Sequence, residues 1–393
     1  MHVRRGNIAR LNYGVLSLIP KIKGAINIKQ FRPIAVLNVI YRGITNVLTS
    51  RLAPVAHAII NPCQTGFIKG RYILEGIVVV HEVLHEIRCT KGSGILLKLD
   101  FENAYDRVDW EFLEEVMIRK GFGRQWIQWV MKTVRHGHLA ININGEQGPF
   151  FQTSRGVRQG DPLSPILFDL VTDALASLID SAKSAGHITG LVPHLIDHGL
   201  SLLQYADDTI IMMENTDANI LHMKFLLYCF ESMSGMKINY HKSEVVVLGC
   251  DQREQERVAN MLNCRLGALP MNYLGVPIGD HRLTNEQLLF LIEKLSKRMD
   301  PWQGSLMSSS ARLTLSNACL DNIPMFVMAF YLLGEGVHGE MDEVRGRFFW
   351  EGCSQSFKYH MMRWENVCRP KDYGGLGLIN TRLMNICMLS KWI

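Results

Sequence analysis

The first 71 residues of this 393-residue chain contain no aspartate and no glutamate, yet they carry eleven of its 42 lysines and arginines. All 37 acidic side chains fall later, so the formal net charge of +5 divides into a strongly basic opening and a mildly acidic remainder. Clustered cations without counter-charges suit a polyanion, which makes this stretch a candidate phosphate-facing surface; a solvated face poor in acids is the plainer alternative. No apolar run approaches the roughly 20 residues that cross a bilayer, and the longest is 323–333. The start has a basic flank at Arg4 and Arg5 but no clean apolar stretch or cleavage site, so no signal peptide is expected. The nine cysteines include no CxxC pair, which favours buried thiols in a reducing compartment over a zinc site or disulfides. There is no GxxxxGK[ST] loop, hence no P-loop phosphate cradle. With 47% hydrophobic residues the chain can build a real core over two or three domains, which excludes bulk disorder and collagen-like structure.

Changes of hydrophobic period divide the rest. Residues 34–53 and 73–88 space their apolar positions as helices do, the second ended by Lys91-Gly92-Ser93-Gly94. Ile95–Leu99 reads as a short apolar strand that runs into Asp100. Asp109 can cap a helix whose Trp110, Leu113, Val116 and Met117 share a face. Residues 139–143 and 149–153 read as strands around an Asn144-Gly145 turn, and a helix is expected from Pro162–Pro165 onward. Residues 200–213 read as two strands around Asp207-Asp208, 218–233 as a helix ended by Gly235, and 244–248 as a strand. Beyond about residue 284 the pattern is helical. The expected fold class is α+β, with an antiparallel sheet in the middle and a separate helical body at the end.

Asp207-Asp208 interrupts runs that otherwise belong in a core. A hairpin turn tolerates Asp, but turns prefer Asp-Gly or Asn-Gly, and two adjacent carboxylates against an apolar sheet are costly unless a cation neutralises them. Hard oxygen donors of this kind suit Mg²⁺. Asp100, at the end of another strand, is either a strand-end cap or a third carboxylate at the same end of the sheet. Three such groups can hold two metals about 4 Å apart for in-line phosphoryl transfer. Between the acidic positions, Ser154 to Pro165 places glycines and arginines before a helix start, a composition that favours anions.

At this point the chain resembles the reverse transcriptases of LINE-type (non-LTR) retrotransposons, in particular plant ones, over nearly its whole length. Leu18-Ile19-Pro20-Lys21, Phe31-Arg32-Pro33-Ile34 and Gln64-Thr65-Gly66-Phe67-Ile68-Lys69-Gly70-Arg71 resemble finger blocks; Asp100–Tyr105 and Arg158–Pro165 resemble the first two palm motifs. Tyr205-Ala206-Asp207-Asp208 is similar to the YxDD box, Gly235–Asn239 through Lys242-Ser243 to the fourth motif, and Tyr273–Gly279 to the primer-grip block. The tail from Trp364 to Trp392, with Gly374-Gly375-Leu376-Gly377, resembles the segment after the thumb in plant elements.

The resemblance implies a right-hand polymerase: fingers over 1–94 with part of the palm interleaved, palm over 95–280, helical thumb over 281–345 and a post-thumb segment over 346–393. It implies RNA-directed DNA synthesis with two Mg²⁺ ions (Mn²⁺ as a substitute), an RNA template, a DNA primer or target, and dNTPs. Asp100, Asp207 and Asp208 would be the metal-binding catalytic triad, Asp208 acting indirectly, with the Phe101 carbonyl completing a metal shell and Lys242 protonating the pyrophosphate. Tyr105 would be the steric gate against a ribose 2′-hydroxyl, or else an ordinary core tyrosine. Arg32 would hold the triphosphate from the fingers, Lys69 and Arg71 would contact the backbone or triphosphate, and Gln159 and Gly160 would line the nucleotide and template pocket. Tyr273, Leu274 and Gly275 would form the primer grip. Relatives usually carry an endonuclease and further nucleic-acid-binding or RNase H segments. Neither is legible here, so a piece of a longer element is expected. The competing expectation is a truncated relic that binds nucleic acid without chemistry; a group II intron maturase shares the palm motifs but not the last two blocks. An intracellular location is expected, with nucleus and cytoplasm both open.

Overall fold

The computed structural model describes residues 11–299, 302, 304–352 and 360–392. Arg4, Arg5 and Arg10 of the basic opening lie outside the described residues, as does part of the expected post-thumb segment. The chain divides into two compact units, Met1–Leu274 and Gly275–Ile393.

The first unit begins with β1 (Tyr13–Pro20), β2 (Phe31–Leu37), α1 (Val39–Ile59), α2 (Ile73–Thr90) and β3 (Gly94–Leu99). Next come α3 (Ala104–Arg107), α4 (Trp110–Arg119), α5 (Arg124–Val134), β4 (His138–Ile143), β5 (Glu146–Gln147), β6 (Phe151–Gln152) and α6 (Ser164–Ser184). It ends with β7 (Leu202–Tyr205), β8 (Asp208–Met213), α7 (Asp217–Ser234), β9 (Glu244–Leu248), α8 (Gln252–Leu262), β10 (Arg265–Leu266) and β11 (Met271–Tyr273). One sheet has the order β2-β1-β4-β5, with β6 also on β4, and β1 runs parallel to β4. The other has the order β10-β9-β3-β8-β7 and is antiparallel except for its short edge pair β10–β9.

The second sheet carries the main core. Ile95, Leu97 and Leu99 of β3, Ile211 and Met213 of β8, and Val245 and Val247 of β9 pack with Leu167, Leu170 and Val171 of α6 and Leu227 and Phe230 of α7. Leu96, Ile210, Met212 and Val246, which alternate with them, are also buried, so these strands read as continuous apolar runs.

Two expectations need correction. Residues 34–37 are not the start of a helix; they complete β2, pairing from Ile34↔Ser17 to Leu37↔Gly14. Asn38 then starts α1 by accepting from the Ile40 and Tyr41 amides at 3.0 and 3.3 Å. An apolar run of four cannot be assigned to strand or helix by period alone, and here pairing with β1 decided it. The strand across the Asn144-Gly145 turn is β5, and residues 151–152 instead pair with the start of β4, His138↔Gln152 and Leu139↔Phe151.

The second unit contains β12 (Val276–Ile278) and α9 (Asn285–Leu288), α10 (Phe290–Met299), α11 (Ser309–Leu315), α12 (Met325–Met328), α13 (Glu335–Glu351), α14 (Trp364–Val367) and α15 (Thr381–Leu389). Helix α13 packs against α10 and α11. At its centre the fully buried Arg345 donates to Asp321 at 2.5 Å and to the Ile379 carbonyl at 2.8 Å, under the ring of Trp364. Among the described residues, no helix is long and apolar enough to cross a membrane.

Candidate active site

Side chains alternate across a strand, so Leu96, Lys98 and the position after Leu99 share one face of β3. The register Lys98↔Ile210 and Leu99↔Thr209 continues to set Asp100 opposite Asp208, on the same face, at the head of the sheet. Asp207 stands in the turn between β7 and β8, whose last pair is Tyr205↔Asp208. All three aspartates are exposed, at a rim backed by core. Although these side chains reach solvent, the core behind the rim partly desolvates them, and that, then the neighbouring Asp207, pushes the Asp208 carboxyl up, with Asp100 adding to it and Lys98 opposing. Burial likewise raises Asp100; Lys242 is the strongest opposing charge and Asp207 the strongest reinforcing one. The chain therefore brings the three acids into each other's field, together with Lys242.

Among the described residues, no three His, Cys, Asp or Glu side chains are grouped to hold a metal ion. The strand ends meet, but the carboxylates do not close on a common point as the sequence reading expected. Like charges on directly opposed strand positions repel and stay solvated until a cation draws them together. The donor set fits a hard divalent ion. The carboxylates of Asp100 and Asp208 are disfavoured in their charged form, and a backbone carbonyl lies beside them. That carbonyl is on Phe101, which forms an antiparallel bridge with Ile238. The bridge is closed by Glu102 N–H to Lys237 O at 2.8 Å and Asn239 N–H to Asp100 O at 2.7 Å. By the alternation of antiparallel pairs, Phe101's own amide and carbonyl point the other way, toward β8.

Tyr105 lies on α3, half-buried, its ring stacked on Phe168 with centroids 4.4 Å apart. Burial, then Asp169, then Asp207 push its hydroxyl up, so the ring stands within the field of the acidic cluster. The 154–165 loop is pinned on several sides. The Val157 amide donates to the Tyr105 carbonyl at 2.7 Å, Trp110 Nε1 to the Gly156 carbonyl at 2.8 Å, and the Ala35 amide to the Gln159 carbonyl at 2.8 Å. Gly160 has φ +106°, and a Cβ there would lie 2.7 Å from the Ala35 carbonyl, so the loop needs glycine to approach β2. Gln159 and Gly160 are thus set beside the strand that carries the exposed Arg32. Lys69 is exposed in the loop before α2. Tyr273 is buried, and Asp208 acts on its hydroxyl. Leu274 and Gly275 both have positive φ, 51° and 82°.

Arg71 corrects the sequence reading. Its guanidinium donates to the carbonyls of Asn61 and Gln64 (2.7 and 2.6 Å) and of His57 and Ile60 (3.0 and 2.7 Å). A fork engaged by four carbonyls of its own chain braces the end of α1 rather than reaching a phosphate.

Residues 19–278 match the reverse transcriptase (RNA-dependent DNA polymerase) family. The chain belongs to the reverse transcriptases. It is 30% identical over 236 residues to the transposon TX1 uncharacterized 149 kDa protein of Xenopus laevis, covering 60% of this chain and 18% of that protein. It is also 30% identical over 230 residues to the retrovirus-related Pol polyprotein from type-2 retrotransposable element R2DM of Drosophila melanogaster, covering 57% and 20%. The chain therefore spans about a fifth of the length of these relatives. Telomerase from Candida albicans, solved with a fragment of telomeric RNA, shares the fold with a TM-score of 0.52 at 13% identity, over 99% of this chain and 62% of that one. The architecture is that of a right-hand polymerase, in the α+β class. Reverse transcriptases are nucleotidyltransferases that generally use divalent metal ions.

Three residues near this reverse transcriptase site escaped the sequence reading. Lys98, the one charge inside β3, donates to the Asn272 carbonyl at 2.6 Å and opposes the upward shift at both Asp100 and Asp208; its shared face with Asp100 was a readable signal. Lys21, named above only as part of a finger block, opposes the upward shift of Asp106, which is exposed on α3. Asp169, on α6 next to Phe168, on which Tyr105 stacks, is fully buried with neither carboxylate oxygen hydrogen-bonded. Burial pushes it up to about 8. An acid whose folded value is raised contributes stability that is complete below its ordinary 3.8 and lost as pH rises through about 8. Asp169→Asn, which does not titrate, is expected to melt several degrees above the parent at pH 9 and little above it at pH 5, with a ceiling of roughly 6 kcal/mol. Melting curves across that range check it, and a gap constant with pH contradicts it.

Proposed function

We propose that this chain is the RNA-directed DNA polymerase core of a non-LTR retrotransposon, adding dNTPs to a primer 3′-hydroxyl on an RNA template. The observation that carries the reading is the opposition of Asp100 and Asp208 across β3–β8, with Asp207 in the adjoining turn, in a chain of this family. The relatives named for retrotransposable elements support the element type. In this reading residues 1–94 are fingers, 95–280 palm, 281–345 thumb and 346–393 the segment after it.

Asp100, Asp207, Asp208 and the Phe101 carbonyl would hold two Mg²⁺ ions, with Mn²⁺ as a substitute. Bound there, the ions supply neutralising charge at the attacking and leaving oxygens of an in-line displacement. The chain's own groups do the rest. Arg32 and Lys69 bind the triphosphate, the guanidinium matching phosphate oxygens as a fork. Gln159 and Gly160 line the nucleotide pocket, and the Tyr105 ring excludes a 2′-hydroxyl. Lys242, exposed beside Asp100, gives a proton to the departing pyrophosphate. Tyr273, Leu274 and Gly275 hold the primer end.

Extension of an oligo(dT) primer on a poly(rA) template with dTTP and Mg²⁺ tests the proposal. Labelled product that lengthens with time, and stops when the metal is chelated, is the expected result. Binding of the primer–template without extension overturns it in favour of a relic that only binds nucleic acid.

A further inference from the structure

The residue before Asp207 is not free to choose its conformation. Ala206 is buried and has φ 56°, in the left-handed region that an alanine adopts only where its surroundings impose it. The two-residue turn that joins Tyr205 to Asp208 calls for a positive φ at its first position, and a single side chain far away in sequence braces it there. Gln64 is completely buried, and its amide meets both backbone polar groups of Ala206. Oε1 accepts from the Ala206 N–H at 2.9 Å, and Nε2 donates to the Ala206 carbonyl at 3.4 Å. The remaining capacity of the same amide is also used, Oε1 accepting from Gly66 N–H at 2.9 Å and Nε2 donating to the Thr172 hydroxyl at 3.3 Å.

The segment that carries Gln64 is itself anchored to β7. Thr65 donates to the Gln204 carbonyl from its amide at 2.8 Å and its hydroxyl at 3.1 Å, and the Gln204 amide donates to the Cys63 carbonyl at 2.8 Å. Arg71 grips the Gln64 carbonyl at 2.6 Å. At Gly66 a Cβ would lie 2.6 Å from the Ala206 nitrogen, so only glycine lets the segment come this close.

We propose that Gln64 is a positioning residue for nucleotide addition: it locks Ala206 in the left-handed conformation and thereby aims the Asp207 and Asp208 carboxylates. The inference rests on the polymerase reading above. An amide suits the task because it offers donor and acceptor together and adds no charge beside two carboxylates. Methionine matches its length but makes neither kind of bond; glutamate keeps the acceptor contacts and loses the donor contacts. Since displacement of reacting groups by about 1 Å costs on the order of 100-fold in rate, a turn released at residue 206 is felt in turnover rather than in nucleotide binding.

The test uses the full chain and compares the parent, Gln64→Met, Gln64→Glu and the double variant Gln64→Met with Ala206→Gly. Three quantities are read: kcat and KM for dTTP in primer extension, Mn²⁺ binding to the free protein by electron paramagnetic resonance of the unbound ion, and melting temperature. Gln64→Met is expected to lower kcat on the order of 100-fold, with KM for dTTP within about threefold, and to weaken Mn²⁺ binding. Glycine at 206 holds a positive φ without help, so the double variant is expected to recover about tenfold of the lost kcat. A packing role alone would lower the melting temperature and gain nothing from the glycine. A folded Gln64→Met with near-parental kcat, or a double variant no better than the single one, overturns the proposal. If Gln64→Met does not fold, Gln64→Glu decides: a loss of about tenfold in kcat supports the proposal and an unchanged kcat overturns it. If the parent itself fails to extend a primer, the polymerase reading falls alone, and weakened Mn²⁺ binding restored by the glycine still decides the role of Gln64.

Discussion

Asp207→Ala is expected to remove primer extension altogether, a loss of about 10⁴-fold or more, while leaving primer–template binding near that of the parent. The size of the effect follows from where the residue stands. It is exposed in the turn between β7 and β8 and acts on both Asp100 and Asp208. Its removal therefore costs the fold little and the acidic cluster a third of its charge. Asp100→Asn is expected to be nearly as damaging, because it removes charge at the other strand end without changing shape. Asp208→Asn is expected to retain more activity, since Asp208 is assigned an indirect contact. Single-turnover extension at saturating dTTP, beside a gel-shift measurement of binding, checks the series. Activity within about tenfold of the parent in Asp207→Ala contradicts the assignment of the cluster.

The second large effect concerns the choice of sugar. Tyr105→Ala is expected to raise incorporation of ribonucleotides relative to deoxyribonucleotides on the order of 100-fold, whereas Tyr105→Phe keeps the parental preference. Stacking on Phe168 at 4.4 Å fixes the ring plane, and the 2.7 Å bond from the Val157 amide fixes the backbone that carries it. The ring is thus a rigid wall in the field of Asp207, and exclusion of a hydroxyl depends on its bulk rather than on its own O–H. Competition between UTP and dTTP on poly(rA) gives the ratio directly. If Tyr105→Ala discriminates as the parent does while still extending the primer, Tyr105 is a core tyrosine and the gate lies elsewhere.

Much of the local structure was legible because the signals were local. Asp109 accepts from the Glu111 and Phe112 amides at 2.9 Å, as a cap at that position should. Helix α7 stops at Gly235, which has φ 71°. Where the sequence misled, the deciding partner was distant. The run at 34–37 became a strand because β1 offered it a pairing edge. The fork of Arg71 turned inward because four carbonyls at the end of α1 lay within its reach.

The sequence by itself determined which groups could do chemistry: an acidic doublet between apolar strands, a lone aspartate at the end of another, and an order of blocks shared with one family. Only the tertiary structure decided how they meet. Strand register is a property of pairs, so the opposition of Asp100 to Asp208 exists only once β3 lies against β8. The same holds for the hidden support. No period or motif says that the amide of Gln64 will close on the backbone of Ala206, because that contact joins positions brought together only by the packing of one loop against the edge of the second sheet.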